Sequence, residues 1–216
     1  MVQTNCYICK DDNYTSFTSI QHDFYDETFT IVACGCGFCY LNPRPRLEEM
    51  KKYYNTSDYH PHSKGNGLIY LIYRMVQKFT FRSKYKILKK YTTNNIKHLD
   101  YGGGDGKFSK YLNSYTSASS RSYDPYFNDQ DSLDLDTSSF NVITLWHVLE
   151  HAYDLDFLFK NIERVLSDAG KLFIAVPNIN AIERRHFGLN WAAYDLPRHL
   201  YHFSSDSLER LLENKN

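Results

Sequence analysis

The stretch "HLDYGGGDGKF", His98 to Phe108, decides the fold, and it holds four of the chain's ten glycines in five positions. An apolar lead-in ends on Asp100. The chain then passes through Gly102, Gly103, Gly104 and Gly106 before Lys107 and Phe108 open a helical pattern. A glycine turn between a strand and a helix lets backbone approach a ligand to contact distance, because no Cβ stands in the way. Three ligand types compete for such a turn. A P-loop needs Gly-x-x-x-x-Gly-Lys followed by Ser or Thr, whereas here Phe108 follows Lys107 and the glycine spacing is wrong. A dinucleotide fingerprint, Gly-x-Gly-x-x-Gly, fails at Lys107 when started from Gly102 and ends marginally on Ser109 when started from Gly104. The pattern Asp-x-Gly-x-Gly-x-Gly is met in full by Asp100, Gly102, Gly104 and Gly106.

Around this turn, residues 93–216 alternate strand and helix patterns. "IKHLDYG", "SSRSYDP", "FNVITLWHVL" and "KLFIAVPN" read as strands. "DGKFSKYLNSY", "DLDFLFKNIERVLSDAG" (stopped by Gly170) and "SSDSLERLLEN" read as helices. Such alternation predicts an α/β fold, a parallel sheet with helices on its faces. Ligands bind at the carboxyl ends of the strands in such sheets.

Upstream lie two smaller pieces. Residues 46–92 read as a helical linker or cap: "RLEEMKKYY" starts a helix, "NTSDYHPHSKGNG" is a loop of turn formers, and a long helix follows. That helix carries Leu68, Ile72, Met75, Val76 and Phe79 at helical spacing, an apolar face expected to pack on its neighbour or to cap a cofactor pocket. Residues 1–45 hold all five cysteines, Cys6, Cys9, Cys34, Cys36 and Cys39, and leave through the stiff "LNPRPR". An odd number of clustered thiols is a poor disulfide framework and a good metal-ligand set. Cys6-x-x-Cys9 and Cys36-x-x-Cys39 have zinc-knuckle spacing. Four thiolates suffice for a closed structural site, so one cysteine is a spare and the spacing leaves open which.

The composition narrows the partners. Lys plus Arg equals Asp plus Glu at 25 each, which argues against a non-specific nucleic-acid binder. The start, "MVQTNCYICKDD", has no basic n-region and no apolar h-region. "GLIYLIYRMVQKF" is too short and too charged to span a bilayer. The expectation is a cytoplasmic protein with a small-molecule partner.

The Asp100–Gly106 pattern resembles motif I of class I methyltransferases that use S-adenosylmethionine (SAM). The chemistry suits it, since SAM carries a cationic amino group and a sulfonium for which a carboxylate such as Asp100 is a partner. A second acid is expected at the end of the next strand to accept the ribose hydroxyls, and Asp124 stands there. The resemblance extends over roughly residues 93–212, through "WHVLEH" (Trp146–His151) to "DLPRHLYHF" (Asp195–Phe203). It is similar to the subgroup with a Glu-His pair after the fourth strand, which includes ubiquinone-biosynthesis O-methyltransferases. It implies a Rossmann-like sheet, with Leu145 or Trp146 flanking the methionine or adenine part of SAM. It also implies two further strands beyond "LLENKN", so the chain is expected to be a truncated or shortened variant. Cys34-x-Cys36-Gly37 with the following "PRP" looks like the N-terminal zinc ribbon of related enzymes. Those enzymes often modify sugars or other metabolites, some in cell-surface polysaccharide assembly.

His147, Glu150 and His151 sit at i, i+3 and i+4 and are expected to share one face of a helical turn. In the resembling O-methyltransferases an acidic residue plus the Glu-His pair binds a divalent cation; here His147 replaces the carboxylate. The alternatives are a metal site, a general base or substrate-orienting group in His151 or His147, or a turn merely shaped by hydrogen bonds. In "DLPRHLYHF", Arg198 is a candidate for an anionic substrate group and His199 for a base, against plain salt bridging. Two rival functions remain: a scaffold or binding module built on an impaired SAM fold with a zinc-dependent partner surface, and an NAD-linked oxidoreductase.

Overall fold

The computed structural model describes residues 1–22, 25–54, 68–92, 95–124 and 137–215. The loop read at 55–67 lies outside the described residues. In chain order the strands are β1 (Tyr14–His22), β2 (Glu27–Cys34), β3 (Cys39–Leu41), β4 (Lys97–Tyr101), β5 (Ser119–Tyr123), β6 (Phe140–Trp146), β7 (Leu166–Ala175) and β8 (Tyr201–His202). The helices are α1 (Met50–Tyr54), α2 (Leu68–Tyr91), α3 (Lys107–Tyr115), α4 (Leu155–Val165), α5 (Ile182–Phe187) and α6 (Ser205–Glu213). They form two compact units. One comprises Met1–Tyr59, Leu149–Tyr153 and Val176–Asn216, the other His60–Val148 and Asp154–Ala175. The chain thus enters each unit more than once, where the sequence suggested three consecutive blocks. The reason is strand pairing: β8, far along the chain, pairs with β3.

The first unit is an antiparallel sheet of order β1-β2-β3-β8. "ETFTIVAC" places Phe29, Ile31 and Val32 in the interior. Phe38 packs against Tyr40, Tyr201 and Phe203 with ring centroids 5.4 to 5.9 Å apart, an aromatic core shared by the chain's two ends. Ser204 caps α6 by accepting from the Ser207 amide at 3.1 Å, which fixes where that helix starts.

The second unit is the expected parallel sheet, with order β5-β4-β6-β7. Among the described residues it has no antiparallel strand. From β4 the chain crosses through α3 to β5 on one side, while β6 lies on the other. The order therefore reverses between β4 and β6, and the carboxyl ends of these two strands are where a ligand crevice belongs. Asp100 stands in register with Thr144 of β6 and Ser122 of β5. Leu88, Ile96, Phe108, Leu112, Ala118 and Val142 form the core beneath. Asn113 of α3 clasps β5 by donating to the Ser120 carbonyl at 2.8 Å and accepting from the Ser120 amide at 2.7 Å.

Two expectations are corrected. The helix read to run to Gly170 ends at Val165, because Leu166 pairs with Phe140 and opens β7, with a register irregularity absorbing the residues up to Lys171. The α2 face of Ile72, Met75, Val76 and Phe79 is exposed, Phe79 at 72%. The packed face is instead that of Phe81, Tyr85 and Leu88. No helix among the described residues is long and apolar enough to cross a membrane.

Candidate functional site

In the parallel-sheet unit a pocket of about 190 Å³ opens at the carboxyl ends of β4 and β6. Its wall includes Asp100, Gly102, Gly103, Phe108 and Trp146, together with Gln77, Phe81 and Lys84 of α2. The turn is held to the end of β5 by the Gly102 and Gly103 amides, which donate to the Tyr123 carbonyl at 2.7 and 3.3 Å. Gly102, Gly104 and Gly106 have φ of +73°, +55° and +68°, the left-handed region that only glycine occupies at little cost. Gly103 is needed for room: a Cβ there would strike the Ser122 hydroxyl and the Asp100 carboxylate.

Asp100 is almost fully buried, and burial raises its pKa to about 6. Thr144 Oγ1 donates to Asp100 Oδ1 at 2.8 Å, which opposes that rise, as does the Lys84 ammonium. Since Thr144 spends its one proton there, it accepts from His98 Nε2 at 2.9 Å. His98 Nδ1 lies 2.7 Å from Ser120 Oγ, and burial keeps the ring neutral with its pKa lowered to about 3. A polar chain thus runs through the sheet and orients the Asp100 carboxylate. Asp124 is buried at the end of β5, and its Oδ2 accepts from the Gly104 amide at 2.9 Å.

The expected cofactor residues therefore separate by place. Asp100, Gly102 and Trp146 line the pocket, Gly104 and Gly106 shape the turn, Asp124 anchors it, and Leu145 is fully buried in β6 rather than in the wall. Lys84, His98 and Thr144 were not named as site residues, and Gly103 lay within the Gly102–Gly106 turn without a role of its own. The signal for Gly103 was in the quoted motif. That for Thr144 is visible only once β4 and β6 are set in register.

In the antiparallel unit, Glu150, His151 and His199 converge, each with a side-chain N or O within 4.8 Å of the others'. Glu150 and His199 are buried. The two imidazoles meet edge to face at 4.5 Å. His151 Nδ1 lies 3.1 Å from the Arg198 carbonyl and His199 Nδ1 2.9 Å from the Ala193 carbonyl. A carbonyl only accepts, so both rings donate from Nδ1, and His199 Nε2 lies 3.7 Å from Asp195 Oδ2. Burial, then the neighbouring His199, lowers the His151 pKa to about 4.

His147 does not join this group. It has a left-handed backbone (φ +58°), its side chain is exposed, and the helical turn starts only at Leu149. His199 takes the third position instead, brought there as the Leu200 amide donates to the Glu150 carbonyl at 2.8 Å. The Arg198 guanidinium is held by Asp195, its Nε donating to Oδ1 at 3.0 Å.

The same unit brings four cysteine sulfurs together. Cys6, Cys9, Cys34 and Cys36 all lie within 4.8 Å of one another, with Cys9···Cys34 at 3.4 Å and Cys6···Cys36 at 3.6 Å. Cys39 is outside the group, buried in β3, where burial raises its pKa to about 11. Burial pushes the Cys6 and Cys34 thiols up as well.

A methyltransferase-domain family matches residues 70–216. Among solved structures the fold is similar to a SAM-dependent methyltransferase of Thermotoga maritima, 16% identical over 68% of this chain and 75% of that one, with a TM-score of 0.49. It is also similar to phosphoethanolamine N-methyltransferase 2 of Haemonchus contortus in complex with SAM, 18% identical over 62% of this chain and 36% of that one, with a TM-score of 0.44. A SAM-dependent methyltransferase of Methanosarcina mazei is 18% identical over 60% and 82%, with a TM-score of 0.44. No curated protein sequence matches the chain.

Proposed function

Since the chain belongs to the methyltransferase-domain family, we propose that it transfers a methyl group from SAM to a small-molecule acceptor, a sugar or another metabolite. The observation that carries this reading is the buried Asp100 carboxylate beside a glycine turn with no room for side chains at Gly103. A carboxylate at the strand end suits a cationic ligand and repels a pyrophosphate. Asp100, the Gly102–Gly106 turn and Trp146 would hold the cofactor, with Asp124 setting the turn's shape and offering acid to the ribose. SAM supplies, when bound, a methyl carbon already activated by a sulfonium.

The chain's own task is then to orient the acceptor and take its proton. We assign that task to His151 and His199, which converge with Glu150 and whose Nδ1 atoms lie against the Arg198 and Ala193 carbonyls. Arg198 is a steering residue for an anionic acceptor group only if Asp195 releases it. We assign structural zinc to Cys6, Cys9, Cys34 and Cys36. Four mutually close sulfurs fit tetrahedral all-thiolate coordination, and a divalent cation offsets the burial that otherwise keeps Cys6 and Cys34 protonated.

Calorimetric titration with SAM and with NAD tests the cofactor. SAM is expected to bind and NAD not; the reverse outcome sinks the reading, and binding of neither favours a scaffold. Gly104→Val forces a β-branched residue to φ +55° and is expected to weaken SAM binding about tenfold to a hundredfold, with zinc content by elemental analysis unchanged.

A further inference from the structure

The pocket presents two ammonium groups, and they differ in what they face. Lys107 Nζ is paired with Asp105 Oδ2 at 2.6 Å. Lys84, projecting from α2, has no carboxylate within ion-pairing distance among the described residues. Its Nζ rests over the Trp146 ring, 4.5 Å from the centroid, with the Phe108 ring at 5.5 Å. Asp100 acts on it only through space, and burial holds its pKa below the usual amine value. A half-buried ammonium with aromatic faces for company loses part of its hydration, and an anion brought to it recovers that loss. Gln77 and Phe81, two turns and one turn before Lys84, also line the pocket, so α2 is part of the wall.

The amino-acid end of SAM is a zwitterion. Asp100 accounts for its ammonium and leaves its carboxylate without a partner. We infer that Lys84 binds the cofactor's carboxylate, so that Asp100 and Lys84 together recognise the α-amino acid group at opposite charges. The inference rests on the reading of this pocket as the SAM site. It gives the pocket a specificity: a nucleoside sulfonium without the carboxylate, such as decarboxylated SAM, keeps the groups that Asp100 reads and loses the one that Lys84 reads.

The test is calorimetry on the full chain with SAM and decarboxylated SAM, in the wild type, Lys84→Met and Lys84→Arg. The wild type is expected to bind SAM about tenfold to a hundredfold more tightly than the decarboxylated compound, as fits one charge-assisted contact. Lys84→Met keeps an apolar stem on Trp146 and is expected to bind the two about equally, while Lys84→Arg restores the preference. Lys84→Gln serves the same comparison if the Met variant does not fold. A Met or Gln variant with the wild-type preference overturns the role of Lys84 and leaves the SAM reading standing. Wild-type protein that binds neither compound overturns both.

Discussion

In the parallel-sheet unit, side chains such as Lys84, Phe108 and Trp146 complete the pocket wall, but the turn that borders it is made of backbone. Strand ends set it, glycines open it, and the Tyr123 carbonyl and the Asp124 carboxylate tie its amides down. In the antiparallel unit both clusters are made of side chains gathered from distant parts of the chain: Cys6 with Cys36, and Glu150 with His199. A backbone site is written into a few consecutive residues, and its geometry follows from strand and turn rules. A side-chain cluster exists only after long-range pairing has occurred, so its integrity depends on what holds the pairing. The first kind should fail locally and the second cooperatively.

The largest expected effect tests that cooperativity. With the proposed zinc in the four-cysteine site, Cys6→Ser should lose it and with it the order of β1 to β3, a cost on the order of several kcal/mol. Elemental analysis and limited proteolysis of the N-terminal region would report it. A protein that retains its antiparallel sheet without metal would show that the aromatic core around Phe38 suffices. His151→Gln comes next. It should lower turnover about a hundredfold to ten-thousandfold while SAM affinity stays put, and the comparison breaks if binding falls in step with turnover.

The smallest effect belongs to Asp100. Its folded pKa is raised to about 6, so the carboxylate that attracts a cation is ionised above that pH and protonated below it. SAM affinity should therefore be level above pH 6 and fall about tenfold per unit below it. Asp100→Asn should bind weakly and show no such slope in calorimetry across that range.

The same contrast explains what was legible. The four parallel strands, the glycine turn and the two strand-end acids could all be read, because each is set by neighbours within a few residues. His147 was misplaced because spacing alone assumed a helical turn from Trp146 onward, whereas the backbone turns left-handed at His147 and forms its short helix only at Leu149. His199 was named but not its partners, since pairing with Glu150 follows from the Leu200 contact. Lys84 was hidden within a helix whose apolar stripe pointed attention to Phe79, five residues before it and nearly half a turn around the helix from the packed face. Which of the five cysteines stands apart required the fold: β3 carries Cys39 into the sheet, away from the turn that gathers Cys34 and Cys36.

The Asn113 clasp on Ser120 has a consequence for colloidal behaviour. Among the described residues β5 is the outer strand of its sheet, and an outer strand offers unpaired amides and carbonyls to any passing chain. At Ser120 both groups are already taken by one side chain from within the same unit. A strand from another molecule would have to displace Asn113 before it could extend the ladder there. Asn113 thus serves as a gatekeeper against edge-to-edge association, and Asn113→Ala would expose the two groups in mid-strand.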